Sequence, residues 1–241
     1  MLIQPAYLHG QSVSVHAREG FAHGFLVLRT LEGTVVASGE LTQVPHGDRV
    51  TSHLLFRFQD GSLDDETTVY SQGRSFHLIS NRHIQKGPSF PHPYDVRIDT
   101  ASQQVSVREE GKSARIEHID LPSDLSNGIV LTLMRNLRAD NSEIEIPYLA
   151  VSSKPRIVKL AISAEGQDRF KVGRVSHKAT SYVIKVKLGG VAGAVAPLVG
   201  KQPSDSHVWI TRGIIPTVVR VDAPLYMGGP VWSIQLASPI W

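Results

Sequence analysis

Residues Phe56–Asp99 read FRFQDGSLDDETTVYSQGRSFHLISNRHIQKGPSFPHPYDVRID, and the rhythm of this stretch decides the fold. Leading into it, Val50, Ser52, Leu54, Phe56 and Phe58 share one face of an extended chain, with His53, Leu55, Arg57 and Gln59 on the other. Such period-two alternation marks a strand buried on one side. Asp60-Gly61 then supplies a tight turn, because both residues tolerate positive φ. Extended segments are expected at Thr67–Ser71 and Ser75–His83, separated by Gln72-Gly73. Beyond the proline-punctuated loop His83–Pro93, Tyr94, Val96 and Ile98 face in while Asp95, Arg97 and Asp99 face out. A β-meander is the expected arrangement.

The rhythm continues in both directions. Phe25 and Val27 alternate with Leu26 and Leu28, Glu32-Gly33 turns, and Thr34–Gln43 returns. Downstream, Val105–Val107, Ala114–Ile119, Glu143–Ala150, Arg156–Ser163, Phe170–Val175, Tyr182–Leu188, His207–Thr211, Ile215–Val221 and Val231–Leu236 read as further strands. Gly189–Gly200 reads as a weakly structured connection. Only LPSDLSNGIVLTLMRNLRAD departs from the pattern. Leu125, Ile129, Leu133 and Leu137 recur every four residues, Pro122 or Ser123 can open a helix, and Arg135 and Arg138 suit its C-terminal end. The fold expected is therefore mainly β, a large curved antiparallel sheet or half-barrel with one packed amphipathic helix. It forms one domain over residues 1–241, with a sub-boundary conceivable near Asp140.

The same stretch concentrates unlike ionisable groups. Asp60, Asp64, Asp65 and Glu66 surround a turn, and His77, His83, His92, Arg82 and Lys86 follow. Alternation sends Asp64 and Glu66 to one face and Asp65 to the other. Two carboxylates on one enclosed face raise one another's pKa and can divide acid and base roles, although a charged hairpin end kept in water has the same composition. The Gln72-Gly73 turn is expected to bring Glu66 or Thr68 near the level of His77–Asn81, with His77 and His83 on one face. A His–carboxylate pair moves protons, and with a second histidine it can hold a divalent metal. Six residues of extended chain span roughly 20 Å, too far for His77 and His83 to share an ion, so His83 with His92 is the easier pair. Glu66, His83 and His92 are thus the candidate catalytic residues. Asp64, Asp65, His77, Arg82, Lys86, Ser89, Phe90 and Asp95 are the candidate ligand contacts, with Phe90 either a lid or a core plug.

Composition removes several functions. The 241 residues include no cysteine, which excludes disulfides, thiolate nucleophiles and Cys-ligated metals. A net charge of +3 is too small to argue for nucleic acid. Lys154–Lys187 does hold nine Lys or Arg against two acids, a pattern that solvated strand faces also produce. No run is long enough for a membrane-spanning helix, and MLIQPAYLHG lacks the pattern of a signal peptide. No nucleophile elbow, HExxH, P-loop or dinucleotide fingerprint occurs. Trp209, Trp232 and Trp241, with Tyr226, offer a carbohydrate platform or, for Trp232 beside Ile234 and Leu236, core packing.

The meanders, the single covering helix and the ending VWITRGIIPTVVRVDAP resemble the lipoprotein-carrier (LolA/LolB-like) half-barrel superfamily, chiefly through Tyr182–Leu188, Val208–Thr211, Pro216 and Val231–Leu236. The resemblance implies a bacterial periplasmic or envelope protein that binds lipid or acyl chains under its sheet, and it carries no defined ligand residues. The leading expectation is binding of an apolar or amphipathic small molecule in a cavity under the curved sheet. The alternative is a hydrolase or lyase with a His/carboxylate acid–base site and a divalent metal.

Overall fold

Alternating side chains give strands almost everywhere in the chain. The computed structural model describes residues 12–137, 143–151, 154–172, 175–187, 203–213 and 215–237. Within these run β1 (Ala22–Thr30), β2 (Val35–His46), β3 (Arg49–Phe58), β4 (Leu63–Gln72), β5 (Phe76–Lys86), β6 (Tyr94–Asp99), β7 (Gln104–Glu109) and β8 (Arg115–His118). A short helix, α1 (Val130–Arg135), follows. Then come β9 (Ile144–Ala150), β10 (Arg156–Val172), β11 (Val175–Lys187), β12 (Ser206–Thr211), β13 (Thr217–Pro224) and β14 (Val231–Leu236). All pair antiparallel in one curved open sheet ordered β8-β7-β6-β5-β4-β3-β2-β1-β14-β13-β12-β11-β10-β9. Every neighbour is a sequence neighbour except at β1–β14, where Leu26 stands opposite Leu236 and Thr30 opposite Trp232. Both halves of the chain therefore build one sheet. The boundary considered at Asp140 lies outside the described residues, as do Arg138, Leu188, Gly189–Gly200 and Trp241.

The concave side holds three apolar clusters. Val50, Tyr70 and Phe76 from the first half meet Ile146, Ile162, Tyr182 and Ile210 from the second around Ile129, Leu133 and Met134. Leu78, Val96, Ile98, Val105 and Val107 pack on Leu121, Leu125 and Leu149. At the end where β3 runs into β4, Phe56, Phe58, Phe90 and Trp232 close a third cluster with Leu28. Phe90 meets Phe58 edge-on at 5.3 Å between ring centres. It is thus a core plug rather than a lid, and Trp232 is a core residue.

The helix is much shorter than the four-residue periodicity predicts. Gly128 has φ +71°, and a Cβ there would lie 2.1 Å from Thr68 Oγ1 and 2.6 Å from Asn81 Nδ2. Left-handed backbone stops a helix, and only glycine lets the chain approach β4 and β5 so closely. Upstream, the segment instead dresses the free edge of β9. Asn127 donates to the Leu149 carbonyl and accepts from its amide (3.0 and 2.8 Å), while Ser126 bonds the Pro147 carbonyl. Edge groups that would template pairing are so satisfied by side chains. Arg135, at the other end, donates to buried Glu19 at 2.6 Å and to the Pro216 carbonyl, fixing α1 to two distant segments.

Two further expectations change. The segment Arg156–Ser163 and the start of Phe170–Val175, as far as Val172, belong to a single strand, β10, which carries on through a bulge between Ala164 and Gly166, whereas Val175 opens β11. In β5 the register against β4 shifts between Val69 and Tyr70: Val69 faces Ser80 but Tyr70 faces Leu78, leaving Ile79 as the extra residue. A bulge reverses side-chain parity beyond it. Phe76 and Leu78 are buried before it, and Asn81 and Gln85 after it. His77 and His83 therefore lie on opposite faces, not on one.

Candidate functional site

The bulge places Asn81, His83 and Gln85 on the concave side, opposite Thr68, Glu66 and Asp64 of β4. Glu66 is level with His83, beyond the level expected from the turn, and Thr68 with Asn81. His83 Nε2 lies 2.9 Å from Asp64 Oδ1, and its Nδ1 lies 3.0 Å from Tyr94 Oη on β6. Gln85 Nε2 donates to the second Asp64 oxygen at 2.7 Å and to the Leu225 carbonyl at 2.9 Å. Asn81 Nδ2 donates to Glu66 Oε1 and Thr68 Oγ1, both at 2.9 Å. A polar layer thus crosses the inner face between apolar clusters, with nearly every buried group partnered, as burial demands.

Electrostatics follow from this placement. Burial works against a charge on His83, but the Asp64 hydrogen bond and the charges of Asp64, Glu66 and Asp65 outweigh it, lifting the imidazole to about 9. At neutral pH both ring nitrogens carry protons, so Nε2 donates to Asp64 and Nδ1 to the Tyr94 oxygen. Burial first, then the neighbouring Tyr148 and the Asp64 and Glu66 carboxylates, push the Tyr94 phenol well above its ordinary value. Tyr148, from β9 of the opposite half, is raised by burial and by the same two carboxylates. Both phenols stay neutral, as donors and acceptors.

Deep as they are, these groups are not sealed. Glu66, His83, Tyr94 and Tyr148 each keep accessible surface, as does the Gly128 backbone beside them. So do inward-facing Leu26, Leu41 and Leu54 on β1–β3 and Ile234 on β14. Close-packed cores leave no such surface on inward side chains. An apolar wall and a polar patch are accessible together on one concave face.

Other candidates lie elsewhere. Asp65 points outward and pairs with His53 at 2.9 Å. Asp95 is also on the outer face, held by Arg82 (2.8 and 3.0 Å) and Arg108 (2.6 Å), with Arg97 at 3.8 Å. Arg82 and Asp95 are therefore separated by the sheet from Asp64 and His83 and do not flank them at a common mouth. His92 is exposed, with Glu109 in its electrostatic neighbourhood, and does not join Glu66 and His83. His77 bonds Ser75 and the Ser123 carbonyl at 3.0 Å. Ser89 donates through its hydroxyl to Asp60 and through its amide to Ser62 Oγ, and to neither Glu66 nor His83, and Lys86 is exposed at the end of β5. His83 itself lies within a strand, since β5 runs on to Lys86. Among the described residues no group of three or more His, Asp or Glu side chains is arranged to hold a metal ion.

Sequence reasoning placed Tyr94 inward without giving it a role. Asn81 and Gln85 share the parity of His83, so that signal was available. Tyr148 had none, because its approach to Glu66 depends on how the two halves face each other.

No protein-family model matches the chain, and no curated protein matches it. Among solved structures it is similar to a crystal structure described as a β-barrel-like protein of domain of unknown function DUF1849 from Brucella abortus. Identity is 11%, the TM-score is 0.53, and the match covers 92% of this chain and 98% of that one. At that identity the likeness speaks to the β-barrel-like fold alone.

Proposed function

We propose that this protein binds an amphipathic small molecule on the concave side of its sheet. Its apolar part rests on Leu26, Leu41, Leu54 and Ile234. Its polar part meets Glu66, His83, Tyr94 and Tyr148. The observation that carries this reading is that deep, inward-facing side chains of both kinds keep accessible surface. Ligand sites combine a mainly apolar concave lining with a few convergent polar groups in this way. A hydrolase or lyase reading draws less support. A general base needs a free nitrogen, and both nitrogens of His83 are occupied by Asp64 and Tyr94. Following the lipoprotein-carrier resemblance, we also place the protein in the bacterial envelope, which cell fractionation tests.

The binding reading is tested by native mass spectrometry of protein purified under mild conditions, before and after organic extraction. An extractable adduct is expected. Displacement of the fluorescent probe N-phenylnaphthylamine gives a second measurement: Leu54→Glu should weaken probe binding about tenfold or more, since a buried charge opposes an apolar contact. No adduct together with no probe binding overturns the reading.

A further inference from the structure

Strand direction puts particular side chains at one rim of the sheet. The rim where β1, β3, β5, β11 and β13 begin is the rim where β2, β4, β10, β12 and β14 end. At its centre lie three adjacent strands. Phe21 precedes β1 and is 73% exposed, Ile215 precedes β13 and is 67% exposed, and Leu236 ends β14 and is 52% exposed. Phe25 stands just behind them on the outer face of β1. Four of the seven large hydrophobics most exposed among the described residues thus share one short arc.

Cations flank this arc on both sides. Arg18, Arg49 and Arg74 are exposed beside β2–β5, and Arg212 is exposed in the β12–β13 connection. The β10–β11 hairpin projects past its neighbour. β12 pairs with β11 only as far as Ala179–Thr211, whereas β10 and β11 stay paired to Val172–Val175. Arg169 and Lys178 face each other on that projection, next to the stacked pair Phe170 and His177. Of the acids along the arc, Asp48 pairs with Arg18, Asp168 with Trp209 and Glu40, opposite Phe25, with His23, while Glu19 is buried against Arg135. Asp99 ends β6 and Asp120 follows β8, farther along the rim from β1, β13 and β14.

We propose that this rim docks on an anionic lipid surface, with Phe21, Ile215 and Leu236 entering the interface and the surrounding basic side chains facing lipid phosphates. Apolar side chains ringed by Lys and Arg bind membranes by summing burial with attraction to anionic headgroups. The apolar arc also continues inward, since Leu236 pairs with Leu26 of the concave wall. The far end of that wall is closed by Phe58, Phe90 and Trp232. Docking concerns the rim alone and holds whether or not the concave side binds a ligand.

The experiment is flotation of the full chain with vesicles of phosphatidylcholine alone or with 30% phosphatidylglycerol, in low and in 0.5 M salt. Partition about tenfold higher on anionic vesicles, lost at high salt, is expected. Arg169→Glu with Lys178→Glu, and separately Phe21→Ser with Ile215→Ser, should each lower it about fivefold or more. Lys112→Glu in the β7–β8 turn should leave it unchanged, as should the circular dichroism of every variant. Equal partition on both vesicle types, absent partition, or binding to an acidic polypeptide such as poly-glutamate but not to vesicles would each overturn the proposal.

Discussion

Asp64 and Asp65 are consecutive residues of one strand, and each meets a histidine at 2.9 Å. Their environments differ by one step of the pleat. The His83–Asp64 side chains are 21% and 6% exposed, those of His53 and Asp65 44% and 29%. The inner pair also joins Tyr94, Gln85 and, through its field, Glu66 and Tyr148, whereas the outer pair sits in water-screened surroundings beside the Asp95 cluster. Identical chemistry at identical distance thus serves two purposes. Inside, it fixes a charged, hydrogen-bonded layer on the concave face. Outside, it decorates a solvent-facing surface.

Replacing each aspartate in turn breaks or sharpens this contrast most directly. Asp64→Ala strands a buried histidine and the Gln85 amide and should cost about 3 kcal/mol in urea unfolding. Asp65→Ala should cost less than about 1 kcal/mol. Equal losses would erase the distinction between the faces. The pH dependence makes the same point with the protein intact. The folded pKa of His83 is raised from 6.5 to about 9, so its stabilisation is complete below about pH 6.5 and is lost as pH rises through about 9. Unfolding curves from pH 6 to 10 should show a fall of up to about 3 kcal/mol from this group, a component absent in His83→Gln.

Gly128→Ala attacks the inner layer from its other side. Left-handed backbone plus a contact into Thr68 and Asn81 should cost about 2 kcal/mol in thermal or chemical unfolding. The α1 helix should not lengthen. Tyr94→Phe removes one partner of His83 and should cost about 1 kcal/mol by the same measurement. Arg82→Ala on the outer face closes the series. Asp95 keeps Arg97 and Arg108, so the expected loss is a few tenths of a kcal/mol, shrinking with added salt.

The same two faces explain what the sequence could show. Strand identity and the inward set Tyr94, Val96 and Ile98 follow from local alternation, and Asp60-Gly61 turns as its composition requires. The split of Asp64 from Asp65 is equally local. The site failed to read through where parity was interrupted or distance bridged. Ile79 is the inserted residue of a bulge, and nothing in Phe76–Lys86 marks it. That single residue separated His77 from His83. Leu125–Leu137 has good helical spacing, yet Gly128 answers to a tertiary approach rather than to propensity. Arg82 and Asp95 looked like ligand groups because charge density in one dimension says nothing about which side of a sheet each charge occupies. Tyr148 comes from the other half of the sheet and could enter the picture only with the topology.

Among the described residues, the β1–β14 ladder is the one seam of the sheet that joins opposite ends of the chain. Most other ladders join strands only a few residues apart, at little loop entropy, while this one must close almost the whole polypeptide into a ring. Refolding is accordingly expected to run as two quick meanders and one late clasp. A lesion at Leu28 or Ile234 should therefore slow the last kinetic phase more than the first.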